Sequence, residues 1–229
     1  MSRSMPLIHR GVTATRIYPG ATRPETLGRE TDRAASPASA ALMCDFFVIL
    51  DFDLNVQYYQ RQPVCVTYTD PTGAKSAFTP EFLITYRRDI VPARRMRPLL
   101  CDVMTRQDVF ENWAALKSRV RAAHRYARRR KWQYQLLTER EIRTPYLENA
   151  MLLLPYCRLE TDWEGSRPLL RTLRELRQAD SEALLAACAT SEEHWAELTA
   201  LLWHLVSIWQ IGADLTEPLT MRSTIWSKD

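Results

Sequence analysis

The chain has 229 residues, of which 46% are hydrophobic and 25% are charged, and 31 basic side chains against 27 acidic ones give a net charge of +4. This composition is ordinary for a globular protein and excludes a wholly disordered, fibrous or collagen-like chain. No run of about 18 apolar residues occurs and the first twelve residues hold no apolar signal core, so we expect no membrane span and a cytoplasmic protein.

The small net charge conceals a strong difference along the chain. Residues 85–131 carry 14 basic and four acidic side chains, a balance of +10, whereas residues 160–229 carry six basic and 12 acidic ones, a balance of −6. The middle of the chain therefore suits a polyanion, with a plain solvated surface as the alternative. The acidic end suits contact with a protein, or simply solubility.

The cysteines give no sign of a metal site or a disulfide framework. They are Cys44, Cys65, Cys101, Cys157 and Cys188, and no two of them form a C-x-x-C pair. That spacing argues against zinc and favours reduced thiols. Four of the five lie in apolar stretches, which predicts buried side chains.

The first third of the chain predicts a basic arm, a helix and a hairpin. Residues 1–37 hold scattered Arg, Thr, Pro and Gly without periodicity, which indicates an extended arm that follows DNA or a partner, or else a disordered terminus. The apolar stretch from Ala40 to Leu50 predicts a helix. Short strands are predicted at 56–59, 63–68 and 76–86. The turn signal Asp70-Pro71-Thr72-Gly73 makes 63–86 a hairpin.

The middle of the chain predicts a β-α-β unit. After an Arg-rich loop at 87–97, the strand at 98–104 is apolar on both faces, which predicts a central place in a sheet. A long helix is predicted over 108–131, followed by a strand at 132–137. The apolar stripe of the helix is expected at Trp113, Leu116, Val120, Ala123 and Ala127.

The other face of this helix is the predicted DNA contact. Lys117, Arg121, Arg125 and Arg128 follow one another at spacings of four, four and three, so they share that face. Further candidates for DNA binding are Arg129 and Arg130 at the helix end and Arg94 and Arg95 in the preceding loop. Arg suits bidentate contact with phosphates, although a solvent face is the alternative.

The C-terminal part predicts helices followed by a pair of strands. A helix is expected over 145–156, with Thr144 as N-cap and Pro145 in the first turn. Helices are then predicted at 167–178, 181–189 and 192–209, with Asp180 and Ser191 as N-caps, and strands at 211–215 and 219–226. Three helices with a terminal wing indicate a small winged-helix domain, whose core stripe is Trp195, Leu198, Leu202, Leu205 and Trp209.

Two acidic residues fall on neighbouring predicted strands. Glu81 stands in Pro80-Glu81-Phe82-Leu83-Ile84, and Asp102 stands in Cys101-Asp102-Val103-Met104. This frame resembles the divided motif of the PD-(D/E)XK nucleases, in which two strand acids and often a helical Glu hold Mg²⁺. A Lys two residues after the second acid orients the attacking water. A hard divalent ion takes oxygen ligands and lowers the pKa of its bound water.

Over about residues 38–226 the chain resembles the TnsA family, the endonuclease subunits of heteromeric transposases. The matching stretches are 45–53, 59–63, 78–83, 111–113, 138–143 and 211–215. The resemblance implies an α/β fold, a PD-(D/E)XK restriction-endonuclease-like mixed sheet with flanking helices, followed by a small winged-helix domain. We therefore expect a basic arm at 1–37, the endonuclease-like domain at 38–158 and the winged-helix domain at 159–229.

The resemblance also implies a role and partners. In that family, the TnsA-type subunit cuts the 5′ ends of the element, while an RNase H-like partner transposase cuts the 3′ ends and joins them to target DNA. The implied partners are transposon-end DNA, that partner subunit and, as a further candidate, an AAA+ ATPase regulator, in the bacterial cytoplasm. The winged-helix domain is associated with partner contacts, and an active member uses Mg²⁺.

The sequence departs from the family at the residues of the cleavage chemistry. The helical Glu falls on Met43, the Lys falls on Met104, and Glu81 replaces the usual Asp. Glu81 and Asp102 remain as candidate catalytic and metal-binding residues. Met supplies neither a hard oxygen ligand nor a cation, and losing one such group typically costs about 10²–10³ in rate.

Two interpretations of this site are open. In the first, the site is degenerate, needs no cofactor, and the protein is a structural, DNA-contacting transposase subunit. In the second, the protein is an active Mg²⁺-dependent endonuclease, and Lys75, an Arg of 87–97 or Asp45 takes over a lost role. A stand-alone DNA-binding regulator built on a retired nuclease fold is a third candidate function.

Overall fold

The structure is a computed structural model that describes residues 36–70, 72–90 and 93–228, with the side chain of Arg94 left out. The predicted basic arm at 1–37 lies outside the described residues, except for its last two positions. Within the described ranges the chain forms two compact units, 36–142 and 143–228.

The first unit is built around a mixed sheet with helices packed against it. Its elements are α1 (Pro37–Phe52), β1 (Val56–Arg61), β2 (Val66–Thr69), β3 (Lys75–Phe78), β4 (Phe82–Tyr86), β5 (Leu99–Val103), α2 (Arg106–Arg129), β6 (Gln133–Leu137) and α3 (Glu139–Ile142). The main sheet has the order β1-β4-β5-β6, in which only the β5–β6 pair is parallel. β2 and β3 form a separate antiparallel pair.

The predicted β-α-β unit is confirmed, because α2 connects β5 to the parallel strand β6. β5 is central, as predicted, and all five of its residues are buried. The hairpin is confirmed in the pairing of β2 with β3, but the single strand predicted over 76–86 is wrong. The chain leaves the hairpin after Phe78 and enters the main sheet at Phe82, since Pro80 has no N–H with which to continue the ladder.

Two apolar layers cover the two faces of the main sheet. The layer on the α1 side contains Leu42, Phe46, Leu50, Phe82, Ile84, Cys101 and Val103, among others. The layer on the α2 side contains Leu100, Tyr134, Ala122, Ala123 and Ala127, among others. β5 thus alternates between the layers, as the period of two of a strand requires. This alternation determines whether a given residue of β5 faces α1 or α2.

The buried face of α2 differs from the prediction at one large residue. Leu116, Ala123 and Ala127 are buried as expected, whereas Trp113 is 47% exposed, so its place in the core stripe is wrong. At 100° per residue, Trp113 lies about 60° from Leu116, between the apolar stripe and the basic face. The small residue Ala122 is buried in addition.

The second unit holds helices and a small antiparallel sheet of order β7-β9-β8. Its elements are α4 (Pro145–Leu153), α5 (Trp163–Leu176), β7 (Gln178–Asp180), α6 (Ser181–Cys188), α7 (Glu192–Ser207), β8 (Ile211–Ala213) and β9 (Thr224–Ser227). The predicted N-caps Asp180 and Ser191 are confirmed, because their side chains accept the N–H groups of Ala183 (2.7 Å) and His194 (3.1 Å). Thr144 precedes α4 without a side-chain capping bond.

The core of the second unit follows the predicted stripe of α7 only in part. Leu198, Leu202 and Leu205 are buried, whereas Trp195 and Trp209 are half-buried. β8 and β9 pair as the predicted terminal strands. The third strand, β7, was not predicted: only its first residue, Gln178, lies in the helix predicted at 167–178, and three residues are too few for a periodic signal.

Exposure of the cysteines differs from the prediction. Cys101 is buried, but Cys44 and Cys65 are exposed. Cys44 lies two residues after Leu42 on α1, and two residues along a helix lead to the opposite face. Among the helices that the structure describes, none is both long enough and apolar enough to cross a bilayer.

Candidate functional site

Glu81 and Asp102 lie side by side where β4 begins and β5 ends. Phe82 is opposite Cys101 in the antiparallel register, so Glu81 and Asp102 occupy the next step. The backbone N–H of Glu81 donates to Asp102 Oδ1 (3.0 Å), and the N–H of Val103 donates to Glu81 Oε2 (3.0 Å). Each carboxylate therefore accepts a hydrogen bond from the backbone of the other strand. We call Glu81 and Asp102 the acid pair.

Asp102 faces the α2 side of the sheet. It shares the parity of Leu100 in β5, and Tyr134 of the same layer donates its hydroxyl to Asp102 Oδ2 (2.7 Å). The residue is only 7% exposed, and each of its carboxylate oxygens accepts a hydrogen bond. Asp102 is thus a buried acid whose donors come from β6 and from the backbone at Glu81.

Burial changes the protonation of the acid pair. It raises the pKa of Glu81 to about 7, although the hydrogen bond from the Val103 N–H opposes the rise, and the charge of Asp102 adds to it. Burial also raises the pKa of Asp102, against the Tyr134 hydrogen bond and the positive charge of Arg119. The pair therefore holds a proton for part of the time near neutral pH, which weakens it as a cation ligand.

Arg119 of α2 is a cation of this site that the sequence interpretation missed. Its positive charge lowers the pKa of both members of the acid pair, and its guanidinium Cζ lies 4.7 Å from the ring centroid of Phe78. Its Nε is buried without a hydrogen-bond partner in the part of the chain that the structure describes. Its position in the helix is the sequence signal that could have found it. Arg119 is three residues after Leu116 and four before Ala123, so all three lie on the buried side of α2.

The two methionines at the departures from the family lie apart from each other. Met43 packs against the α1-side layer, which is the opposite face of the sheet from Asp102. Met104 directly follows β5, is half-buried, and donates its backbone N–H to the Leu137 carbonyl (3.0 Å). The structure therefore brings Glu81 and Asp102 together but places Met43 across the sheet.

The candidates to replace the lost groups are Lys75, Asp45 and the Arg residues of the loop 87–97. The charges that shift the pKa of Glu81 are those of Asp102, Arg61 and Arg119, and neither Lys75 nor Asp45 is among them. Lys75 is exposed at the start of β3. In the loop 87–97, Arg87 forms an ion pair with Asp89 instead.

The acid pair does not fit a divalent cation as it stands. Three of its four oxygens already accept hydrogen bonds from backbone or Tyr134 donors. Within the described ranges, no group of three or more His, Cys, Asp and Glu residues converges as a metal site would require. Each of these oxygens keeps a further lone pair, so the hydrogen bonds alone do not block an ion. What disfavours a cation is the raised pKa of both acids and the lack of a third such ligand in the described ranges.

The basic face of α2 is present as a surface. Lys117, Arg121, Arg125 and Arg128 are all exposed, and none of them forms an ion pair within the described part of the chain. Arg129 and Arg130 are exposed at the end of α2, and the Arg130 guanidinium lies 4.6 Å from the Tyr126 ring centroid.

The remaining DNA-binding candidates lie on a separate element. Arg95 is exposed on a short 3-10 helix, Ala93–Arg95, while the side chain of Arg94 lies outside what the structure describes. The basic residues that share one surface are therefore those of α2.

The first unit, a mixed sheet with a helix packed on each face, is an α/β domain that fits an endonuclease-like fold. Residues 53–139 match the family model described as TnsA-like endonuclease N terminal. This segment is therefore similar to the N-terminal domain of TnsA-like endonucleases. The matched residues 53–139 include Glu81, Asp102 and all of α2. No curated protein matches the chain.

Proposed function

We propose that this protein is a DNA-binding subunit of a heteromeric transposase in which the former cleavage site is a structural acid pair. The observation that carries the proposal is the hydrogen bonding of Glu81 and Asp102. Their carboxylates are acceptors for the Val103 N–H, the Glu81 N–H and the Tyr134 hydroxyl, so they join strands instead of facing a substrate. Met104 supplies no cation, and Met43 lies on the other face of the sheet.

The DNA-binding part of the proposal rests on α2. Its exposed basic face has no carboxylate partners in the described ranges, and unpaired Arg and Lys on one helical face can contact the phosphates of DNA. Because the TnsA-like match implies action on transposon ends, we propose that the DNA is transposon-end DNA and that the protein works in the cytoplasm beside the chromosome.

The second unit is the proposed partner-binding part. Its element order α5-β7-α6-α7-β8-β9, with the sheet order β7-β9-β8, supports the proposal that it is a winged helix. Its acidic balance opposes contact with DNA. An RNase H-like transposase is the proposed partner, and an AAA+ ATPase regulator is a second one.

Plasmid nicking tests the loss of cleavage. Wild type and Glu81→Gln are incubated with supercoiled plasmid and either Mg²⁺ or Mn²⁺, and we expect the same background from both. The Met104→Lys variant is expected to stay inactive, because the acid pair remains bonded to the backbone. Nicking by wild type that disappears in Glu81→Gln would overturn the proposal.

An active Mg²⁺-dependent endonuclease is the second candidate function. It is favoured by one observation, the adjacency of Glu81 and Asp102 on antiparallel strands, which is the arrangement of the divided nuclease motif.

Co-purification distinguishes a stand-alone regulator from a transposase subunit. A subunit binds the transposase encoded beside it, and a regulator binds DNA alone.

A further inference from the structure

Two large aromatic side chains are exposed on α2, Phe110 on the basic face and Trp113 at the edge of that face. Phe110 is 86% exposed and Trp113 is 47% exposed. At 100° per residue, Phe110 lies within about 20° of Lys117, Arg121 and Arg128 around the helix. The aromatic residues thus continue the basic surface toward the start of α2. A single exposed apolar residue is ordinary, but a neighbouring pair in line with unpaired cations is not.

The same two side chains line a groove. It has a volume of about 600 Å³, and its other walls come from Arg106, Val109, Leu136, Thr138, Arg140 and Glu141. Glu141 Oε2 accepts hydrogen bonds from the Thr138 backbone N–H (2.9 Å) and hydroxyl (2.7 Å), so its charge is partly satisfied. With Arg106 and Arg140 against Glu141, the net charge of the groove lining is positive.

We propose that this groove binds unpaired bases of the DNA whose phosphates lie on the basic face of α2. Bases in a duplex are stacked on each other and present only their edges, whereas an unpaired base offers a flat face to an aromatic ring. Stacking on aromatic side chains beside a cationic groove is the general way in which proteins hold single strands. The inference rests on the proposed DNA binding, and it adds a preference for DNA with a single-stranded tail.

The test compares three kinds of DNA ligand by fluorescence anisotropy. They are a blunt duplex, the same duplex with a four-nucleotide tail at either the 5′ or the 3′ end, and that duplex with abasic tail positions. Wild type is expected to bind one of the tailed duplexes about tenfold more tightly than the blunt one, which is the weight of one stacked base. The abasic tail should lose that advantage.

Variants separate stacking from phosphate contact. Phe110→Ala with Trp113→Ala should lose the tail preference while binding blunt duplex as wild type does. Lys117→Glu with Arg121→Glu should weaken binding to all ligands and keep the preference. Tyr58→Ala, which truncates another exposed aromatic side chain of the same unit, is the matched control and should change nothing. Trp113→Phe should keep the preference, which would rule out a folding defect.

The outcomes are distinct. Binding of blunt and tailed duplexes with equal affinity, or a preference that survives the double alanine variant, overturns the groove assignment and leaves the proposed function standing. Absence of binding to any DNA overturns both. If the double alanine variant instead loses only binding to the partner transposase, the groove is a protein interface and the assignment is wrong.

Discussion

Asp102 accepts one hydrogen bond from each side of β5. One donor is the N–H of Glu81, which directly precedes β4, and the other is the Tyr134 hydroxyl of β6. One buried carboxylate on β5 therefore connects three adjacent strands. A buried acid is costly unless its oxygens are hydrogen-bonded, and here the donors are supplied by the fold itself. Removal of one donor should therefore cost more than an ordinary surface hydrogen bond.

Tyr134→Phe tests that cost. The substitution removes the hydroxyl and leaves Asp102 Oδ2 buried without its donor, so we expect the free energy of unfolding to fall by about 1–3 kcal/mol. Urea denaturation followed by circular dichroism measures it. Tyr126→Phe, also in the α2-side layer, is the matched control and should stay within about 0.5 kcal/mol of wild type. The Tyr126 ring contacts Trp132 and Arg130, and its hydroxyl has no hydrogen bond among the described residues. Equal effects of the two would contradict the role of the hydroxyl.

The acid pair also predicts a dependence of stability on pH. The pKa of Glu81 is raised from 4.5 to about 7 in the folded protein, so between these values the native state binds a proton that the unfolded chain has lost. The contribution of protonated Glu81 is therefore present below about pH 4.5 and is lost as the pH rises to 7.

Glu81→Gln should remove this dependence, because Gln keeps an acceptor for the Val103 N–H and cannot titrate. Between pH 4.5 and 7 wild type should lose about 2–3 kcal/mol relative to the variant, at about 1.36 kcal/mol per pKa unit with allowance for partial exposure. Urea midpoints at half-unit steps of pH measure the difference. Parallel curves for the two proteins would show that Glu81 is ionised in the folded state.

At the scale of single residues, the sequence predicted the acid pair but not its partners. Glu81 and Asp102 were found because strand alternation and motif spacing are local properties. Arg119 and Tyr134 were missed because their relation to Asp102 depends on the rotation of α2 and the register of β6, which no local pattern fixes. The same rotation explains why Trp113, which lies at the edge of the apolar stripe, was wrongly assigned to the core.

At the scale of elements, α2 has two faces with different roles. Arg119 faces the acid pair from the buried side, and Lys117 and Arg121 lie on the exposed side. The existence of this helix was predictable because its apolar stripe repeats over about four turns. The break between β3 and β4 was harder to predict, since apolar residues on both sides of Pro80 continue the alternation of a single strand.

The exposed face of α2 predicts a salt dependence of DNA binding. Lys117→Glu with Arg121→Glu removes two phosphate contacts, so the slope of log K against log salt should become shallower by about 2, at roughly 0.9 per contact. Titrations between low and moderate salt measure the slope. Arg167→Glu with Arg171→Glu makes the same charge change at exposed positions of α5 and should leave the slope unchanged. An equal change in both would mean that only net charge matters.

At the scale of the whole molecule, the two compact units differ in net charge and in the interactions that stabilise their sheets. The first depends on hydrogen bonds to buried acids, whereas the small sheet of the second depends on close backbone approach. Gly212 of β8 pairs with Trp226 of β9, and a Cβ on Gly212 would lie 2.1 Å from the indole nitrogen. Only glycine leaves room for that ring.

This difference allows each unit to be destabilised alone. Gly212→Ala forces the Trp226 indole out of its place, at a cost of about 1–3 kcal/mol, and should raise hydrogen exchange of amides in α5–α7 and β7–β9 by about tenfold while β4 and β5 keep their protection. Tyr134→Phe should instead raise hydrogen exchange of amides in β4 and β5, while α5–α7 and β7–β9 keep their protection. Mass spectrometry of peptides from each unit measures both effects in the full chain. If either substitution raises exchange equally in both units, the chain unfolds as one cooperative body and the division at residues 142–143 has no energetic meaning.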